Sequence, residues 1–184
     1  RRFPALVPLT LPSSHPMTAL SGLASDVTLT VVSGTGRHLH EVTGALLCTH
    51  QGLSGPAVLD ISRHWQEARE DDPGAGLLVR WLPGVAPEAL DGRLQQHGGR
   101  PVVRALAPPL PDRLAEALCR MADVAPDQTA ATLPREARKR LVATVSAWRA
   151  PVTGTRGFAV GEVTAGGVPL AALTATLEAR TCPG

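Results

Sequence analysis

An α+β fold, an antiparallel β-barrel-like subdomain with a small inserted helical subdomain, follows from three features of the 184-residue sequence. Short apolar stretches, some alternating with period two, fill the first fifty residues and are punctuated by turn formers. Helical spacing takes over further on, where Leu90 and Leu94, Leu114 and Leu118, and Leu141 and Val145 stand four apart. From Pro151 the chain becomes β-like again. Strands so close in sequence favour antiparallel pairing, which gives a β-rich part over 1–84 and 151–184 and a helical part over 85–150.

Taken in order, residues 5–11 form an apolar run bounded by prolines, 27–32 alternate Val or Leu with Thr, and 39–49 make a further strand region around Gly44. Turns fall at Pro12-Ser13-Ser14-His15-Pro16 and Ser33-Gly34-Thr35-Gly36. A helix follows with Ser54 as its cap, Pro56 in its first turn and Val58, Ile61 and Trp65 on its buried face. Asp71-Asp72-Pro73-Gly74 ends it, and 76–82 return as a strand.

Ala86-Pro87-Glu88 opens a second helix, closed by Gly98-Gly99, and a third carries Leu110 to Met121 after Pro108-Pro109. A fourth starts at Thr132 and stops before Pro151. Strands are then expected at 152–153, 158–164 and 168–173, with a tight bend at Gly166-Gly167.

Composition narrows the class. Hydrophobic residues make up 43% and charged ones 18%, a globular rather than disordered balance. No apolar run reaches the roughly 18 residues of a membrane span, and a soluble, cytoplasmic protein is expected. Cys48, Cys119 and Cys182 are odd in number and far apart, which makes neither a disulfide framework nor a zinc site. The positive charge comes almost wholly from arginine, Lys139 being the only lysine, and with the heavy use of Ala, Gly and Pro it reflects GC-rich coding, so the net charge of +2 is discounted as a sign of a nucleic-acid partner.

Two glycine-rich signatures carry the functional information: Thr49-His50-Gln51-Gly52-Leu53-Ser54-Gly55-Pro56-Ala57, and Gly154-Thr155-Arg156-Gly157-Phe158 running into Glu162-Val163-Thr164-Ala165-Gly166-Gly167-Val168. Together they resemble the bacterial BaiN-like (YhiN-like) family of NAD(P)/FAD-dependent oxidoreductases. There the two signatures belong to a domain inserted between the halves of a flavin-binding Rossmann domain. The tail Leu177-Glu178-Ala179-Arg180-Thr181-Cys182-Pro183-Gly184 is similar to the family's return segment. The resemblance implies a chain that is part of a longer protein, with its two ends close together. Consistent with that, Gly34-Thr35-Gly36 lacks the third glycine of a dinucleotide fingerprint.

The resemblance implies an insert domain roofing the active site of an FAD-dependent oxidoreductase, with NAD(P)H as reductant and a small-molecule substrate; the residues themselves suggest no metal and no membrane. Thr164, Ala165, Gly166, Gly167 and Val168 are then the cofactor-facing segment, since paired glycines let a flat ring approach the backbone. Gly166-Gly167 alone also fits a plain turn. Ser54 and Gly55 open a helix whose free N–H groups suit a substrate anion, or simply cap and pack it. Arg156 offers a planar fork for a phosphate or carboxylate, or a partner for Glu162.

His50 is the candidate catalytic residue, a loop imidazole beside that helix start, able to move a proton near neutral pH; an ordinary loop histidine fits as well. His38 and His40 share a strand face without a third ligand, and His15, His64 and His97 form no constellation. The family's substrates include amines, steroid rings and a uridine of ribosomal RNA. The alternatives are therefore an RNA-docking domain of a flavin-dependent rRNA uridine reductase, or a non-catalytic interaction domain. Arg135 and Lys139, four apart, read as a solvated helix face or an RNA-facing patch.

Overall fold

The computed structural model describes residues 2–168, 170–176 and 178–180. Strands β1 (Arg2–Ala5) and β2 (Leu9–Thr10) lead through a 3-10 turn at Pro16–Leu20 to the hairpin of β3 (Ala24–Val32) and β4 (His38–Thr49). Strand β5 (Gly52–Ser54), helix α1 (Pro56–Asp71) and strand β6 (Gly76–Arg80) follow. Four helices come next: α2 (Pro87–Gln96), α3 (Val103–Leu106), α4 (Asp112–Met121) and α5 (Arg135–Ala147). Strands β7 (Trp148–Ala150), β8 (Gly154–Thr155) and β9 (Val163–Gly166) complete the α+β architecture.

The main sheet has seven strands in the order β7-β6-β3-β4-β5-β2-β8, every pair antiparallel. Laid flat, its edges would stand roughly 29 Å apart at the usual strand spacing. Yet the edge strands β7 and β8 are joined by residues 151–153 alone, a link that spans about 14 Å at most. The sheet must therefore curl, and this gives the barrel. A second, two-stranded ribbon pairs β1 with β9, from Arg2 opposite Gly166 to Ala5 opposite Val163.

Helix α1 packs along the sheet with Val58, Ile61 and Trp65 buried, the face its spacing predicts. Its polar side chains also anchor the first segment: Ser62 Oγ accepts the Val7 N–H at 3.3 Å, and Gln66 Nε2 donates to the Pro4 carbonyl at 2.6 Å. One continuous buried cluster runs from sheet residues such as Leu29, Leu46 and Val79 to helical ones such as Leu94, Leu114 and Leu141. At the junction Trp81 is fully buried, stacks on Trp148 at 5.8 Å between centroids, and Trp148 meets His15 at 5.3 Å.

Several local expectations give way to backbone chemistry. Residues 5–11 hold only the end of β1 and the two-residue β2, because Leu6 takes a left-handed φ of 46° between Pro4 and Pro8. Ser54 does not cap α1: it is the last residue of β5, and the cap position is Gly55, which offers no side-chain hydrogen bond. Helix α5 starts at Arg135 rather than Thr132, which ends a 3-10 turn over Ala130–Thr132.

The strand expected at 158–164 is replaced by a turn in which the Val160 and Gly161 N–H groups donate to the Gly157 carbonyl, with β9 only after it. Leu170–Ala172 is a 3-10 turn where a strand is expected, and β8 follows rather than occupies 152–153. In the return-segment tail, Leu177 and residues 181–184, Cys182 among them, lie outside the described residues. Gly34-Thr35-Gly36 is a hairpin turn tied down by Asp72, which accepts the Gly34 N–H at 2.6 Å and the Gly74 N–H at 2.8 Å. These two hydrogen bonds hold its carboxyl below the usual carboxylate range.

Gly55 has φ 92° and ψ 162°, a region essentially reserved for glycine. An added Cβ would also lie 2.8 Å from the Leu47 nitrogen and 2.9 Å from the Ala45 oxygen. Gly22, at φ 86°, has nothing within 4 Å. Gly22→Ala is therefore expected to cost about 1 kcal/mol, and Gly55→Ala about 3 kcal/mol or more, since strain and backbone collision combine. Equal losses in urea unfolding would show that β4 yields at this contact.

Candidate functional site

The end of the β1–β9 ribbon forms a cleft of about 540 Å³ lined by Phe3, Arg63, Glu67 and the run from Ala165 to Val168. Ribbon register places Phe3 opposite Ala165, and α1 presents Arg63 and Glu67 one turn apart. Gly166 makes its bend at φ 89°. Gly167 differs: its φ is ordinary, and an added Cβ would meet nothing within 4 Å. Nothing in the chain requires glycine at 167.

Five of the six large hydrophobic side chains exposed among the described residues lie between Phe158 and Leu170, the sixth being Leu39. Phe158 is 60%, Val168 66% and Leu170 81% exposed. Such a concentration is denser than the single exposed hydrophobics that scatter over an ordinary surface. The sequence offers no signal for Phe3, Arg63 and Glu67 as neighbours of this segment. They come together only through the ribbon and the helix packed on it.

The remaining candidates are distributed along the same ladder. Leu9 pairs with Leu53 on one side and Thr155 on the other, so Ser54 and Arg156, each one residue further on, flank a single strand. Arg156 is exposed and has no side-chain partner among the described residues; the alternative pairing with Glu162 is not formed. The two glycines before α1 have structural reasons, because a Cβ at Gly52 would lie 2.3 Å from the Leu9 oxygen and one at Gly55 would strike β4.

His50 sits at the exposed tip of the β4–β5 hairpin, where Thr49 pairs with Gly52 and the Gln51 carbonyl accepts the Leu11 N–H. The expected position beside the helix start is not realised: Gln51, β5 and Gly55 intervene, and the helix dipole acts only over its first turn. His50 lies beside Leu11 in the seven-stranded sheet, whereas Gly166 stands opposite Arg2 in the separate β1–β9 ribbon, and His50 does not line the ribbon cleft. The structure does not bring them together.

A histidine pair that the sequence does not reveal joins β4 to α1. His40 and His64 stack with centroids 3.5 Å apart and planes 21° apart. A register shift between Val31 and Val32 leaves Leu39 unpaired, and His38 meets Glu41 at 3.5 Å instead of sharing a role with His40. Among the described residues no three His, Cys, Asp or Glu side chains gather as metal ligands. Burial pushes both Cys48 and Cys119 thiols up to about 11, which removes them as nucleophiles. No described helix is long and apolar enough to cross a membrane.

Sequence comparison now adds a family. The profile described as "HI0933-like protein barrel and H2TH domain" matches residues 3–163. The chain is 37% identical over 183 residues to a ribosomal RNA dihydrouridine synthase of Escherichia coli, covering 97% of this chain and 43% of that protein. It is 31% identical over 183 residues to the ribosomal RNA dihydrouridine synthase of Haemophilus influenzae, covering 98% and 43% respectively. The chain thus spans less than half the length of these curated relatives.

Burial first, then the neighbouring His40 and Arg63, hold His64 below its ordinary value of 6.5, while Asp60 and Glu67 pull the other way. A histidine that resists protonation when folded contributes stability that is complete above pH 6.5 and lost as pH falls through its folded value. His64→Phe keeps a flat ring on His40 and is expected to shrink the drop in Tm between pH 7.5 and pH 5. An unchanged drop would show that the stack does not titrate with folding.

Proposed function

The chain belongs to the HI0933-like barrel and H2TH domain family, and from that premise we propose that it is the barrel-and-helix part of a flavin-dependent enzyme that reduces a uridine of ribosomal RNA. The names of its relatives support the substrate, and the resemblance of its two glycine signatures to the BaiN-like flavoproteins supports the cofactor. The observation that carries the reading is the exposed apolar run from Phe158 to Leu170 around the side-chain-free Gly166-Gly167 strip. This is a surface suited to being covered by a flavin-binding Rossmann domain of the same protein. A cytoplasmic location follows from the ribosomal substrate.

FAD, reduced by NAD(P)H, would supply the hydride that, together with a proton, saturates the C5–C6 bond of the uracil ring. The chain's own residues position and enclose. Thr164, Ala165 and Val168 border a strip on which Gly166 and Gly167 let a planar ring lie against the backbone. Phe158 and Val168 exclude water once covered. Arg156, unpaired and across β2 from Ser54 and Gly55, offers a fork to a substrate phosphate or carboxylate. A His50 role in proton transfer requires the substrate to reach the β4–β5 hairpin tip.

The 184-residue chain alone is expected to purify without stoichiometric FAD, because it lacks the glycine fingerprint that holds a pyrophosphate; full yellow absorbance would contradict this. In the full-length protein, Gly167→Val is expected to leave Tm unchanged, since the position has room, yet to lower turnover on ribosomal RNA by roughly 10²-fold or more through lost ring access. His50→Ala serves as the comparison, with turnover expected within roughly threefold of wild type. Normal turnover in the glycine variant would remove the cofactor-facing assignment, and a loss of about 10²-fold at His50 would reinstate it as a proton-transfer group.

A further inference from the structure

The helical segment carries a second feature that the flavin reading does not use. Helix α2 has a glycine, Gly92, in its middle, half-exposed, where an added Cβ would meet nothing within 4 Å. A mid-helix glycine weakens the helix, and neither packing nor a left-handed φ explains it here. Gly92 lies on the rim shared by two clefts. One, of about 690 Å³, separates α2 from α5 and is lined by Arg135, Arg138 and Lys139 against Glu88 and Asp91; the other, of about 550 Å³, is lined by Arg93, Gln96 and His97. The backbone of α2 is therefore a low saddle between two hollows in which cationic side chains outnumber acidic ones.

Charge is segregated to match. Residues 85–150 hold ten Arg and Lys against seven Asp and Glu, net +3, while the rest of the chain holds eight against nine, net −1. Acidic groups around the saddle are largely engaged. Asp91 binds Arg138 at 2.7 Å and Glu136 meets Lys139 at 3.5 Å, leaving Glu88 in the first turn of α2. Arg135 makes no salt bridge or side-chain hydrogen bond among the described residues, although its charge acts on Asp91, and Arg93 reaches the Ala105 carbonyl. No large hydrophobic side chain between residues 85 and 150 is exposed, which argues against a protein docking by apolar contact.

Resting on the ribosomal RNA reading above, we propose that an RNA backbone crosses α2 at Gly92, its phosphates held by Arg135 and Lys139 on one side and by Arg93 on the other. Arg135 and Lys139 stand one helical turn apart on α5 and meet successive phosphates, while Asp91 fixes Arg138 between them. No exposed aromatic ring is present here for base stacking, so the contact reads charge and backbone shape, not sequence. The barrel end handles the base and the saddle holds the strand.

The test uses full-length protein and a fluorescein-labelled 20-nucleotide polyuridine, with Kd followed against salt. Gly92→Gln is expected to hold or raise Tm, since glutamine is the better helix former, while weakening binding roughly tenfold. Arg135→Gln with Lys139→Gln is expected to reduce the slope of log K against log salt by about 1.4, the share of two phosphates on a single strand. Stable variants that bind with wild-type affinity and slope would overturn the saddle and leave the face to an acidic protein. Wild-type protein that binds no RNA even at low salt would overturn the saddle and the ribosomal reading together.

Discussion

Antiparallel pairing between the first ten residues and residues 153–166 joins segments far apart in sequence: Thr10 and Thr153, linked through their hydroxyls at 2.9 Å, are 143 positions apart. Closing a loop of that length costs about 4 kcal/mol plus a constant in chain entropy. A few backbone hydrogen bonds do not offset it alone. The burial of Leu9 and Leu53 beneath the ladder, and the clamps from Ser62 and Gln66 on α1, supply the rest. Remove this pairing and the barrel opens at β2–β8, the β1–β9 ribbon loses its base, and the cleft at Gly167 has no floor.

The ladder also sets where chemistry can occur. Along the first ten residues the hairpin tip of His50, then Ser54 and Arg156, flank β2 in the main sheet, and beyond the bend at Leu6 the glycine strip pairs with β1. Side chains that stand close together in the sequence motif Thr49 to Gly55 are strung along the ladder, because a strand spreads residues that a helix or tight loop would gather.

The fold was legible where burial and period agree. Val58, Ile61 and Trp65 on α1, and Leu90 and Leu94 on α2, announce their faces because each apolar position is buried. Legibility fails at Phe158, Val160 and Val168, apolar residues that face outward and so mimic a buried strand. It fails again at Ser54, whose cap signal is overridden by the left-handed Gly55 that turns the chain from β5 into α1. Of the ribbon cleft, the Ala165 to Val168 wall falls within the glycine-rich run that the sequence singles out. Phe3, Arg63 and Glu67 could not be read there, since only the ribbon register brings them to it.

The stack of Trp81 on Trp148 gives the molecule a built-in optical gauge. The chain has three tryptophans and no tyrosine, so its ultraviolet emission comes from indoles alone. Two of the three sit where β6 leaves the barrel and where α5 hands the chain back to β7. Any event that shifts the helices against the barrel alters the coupling of these two rings, and the emitted light reports it without a label.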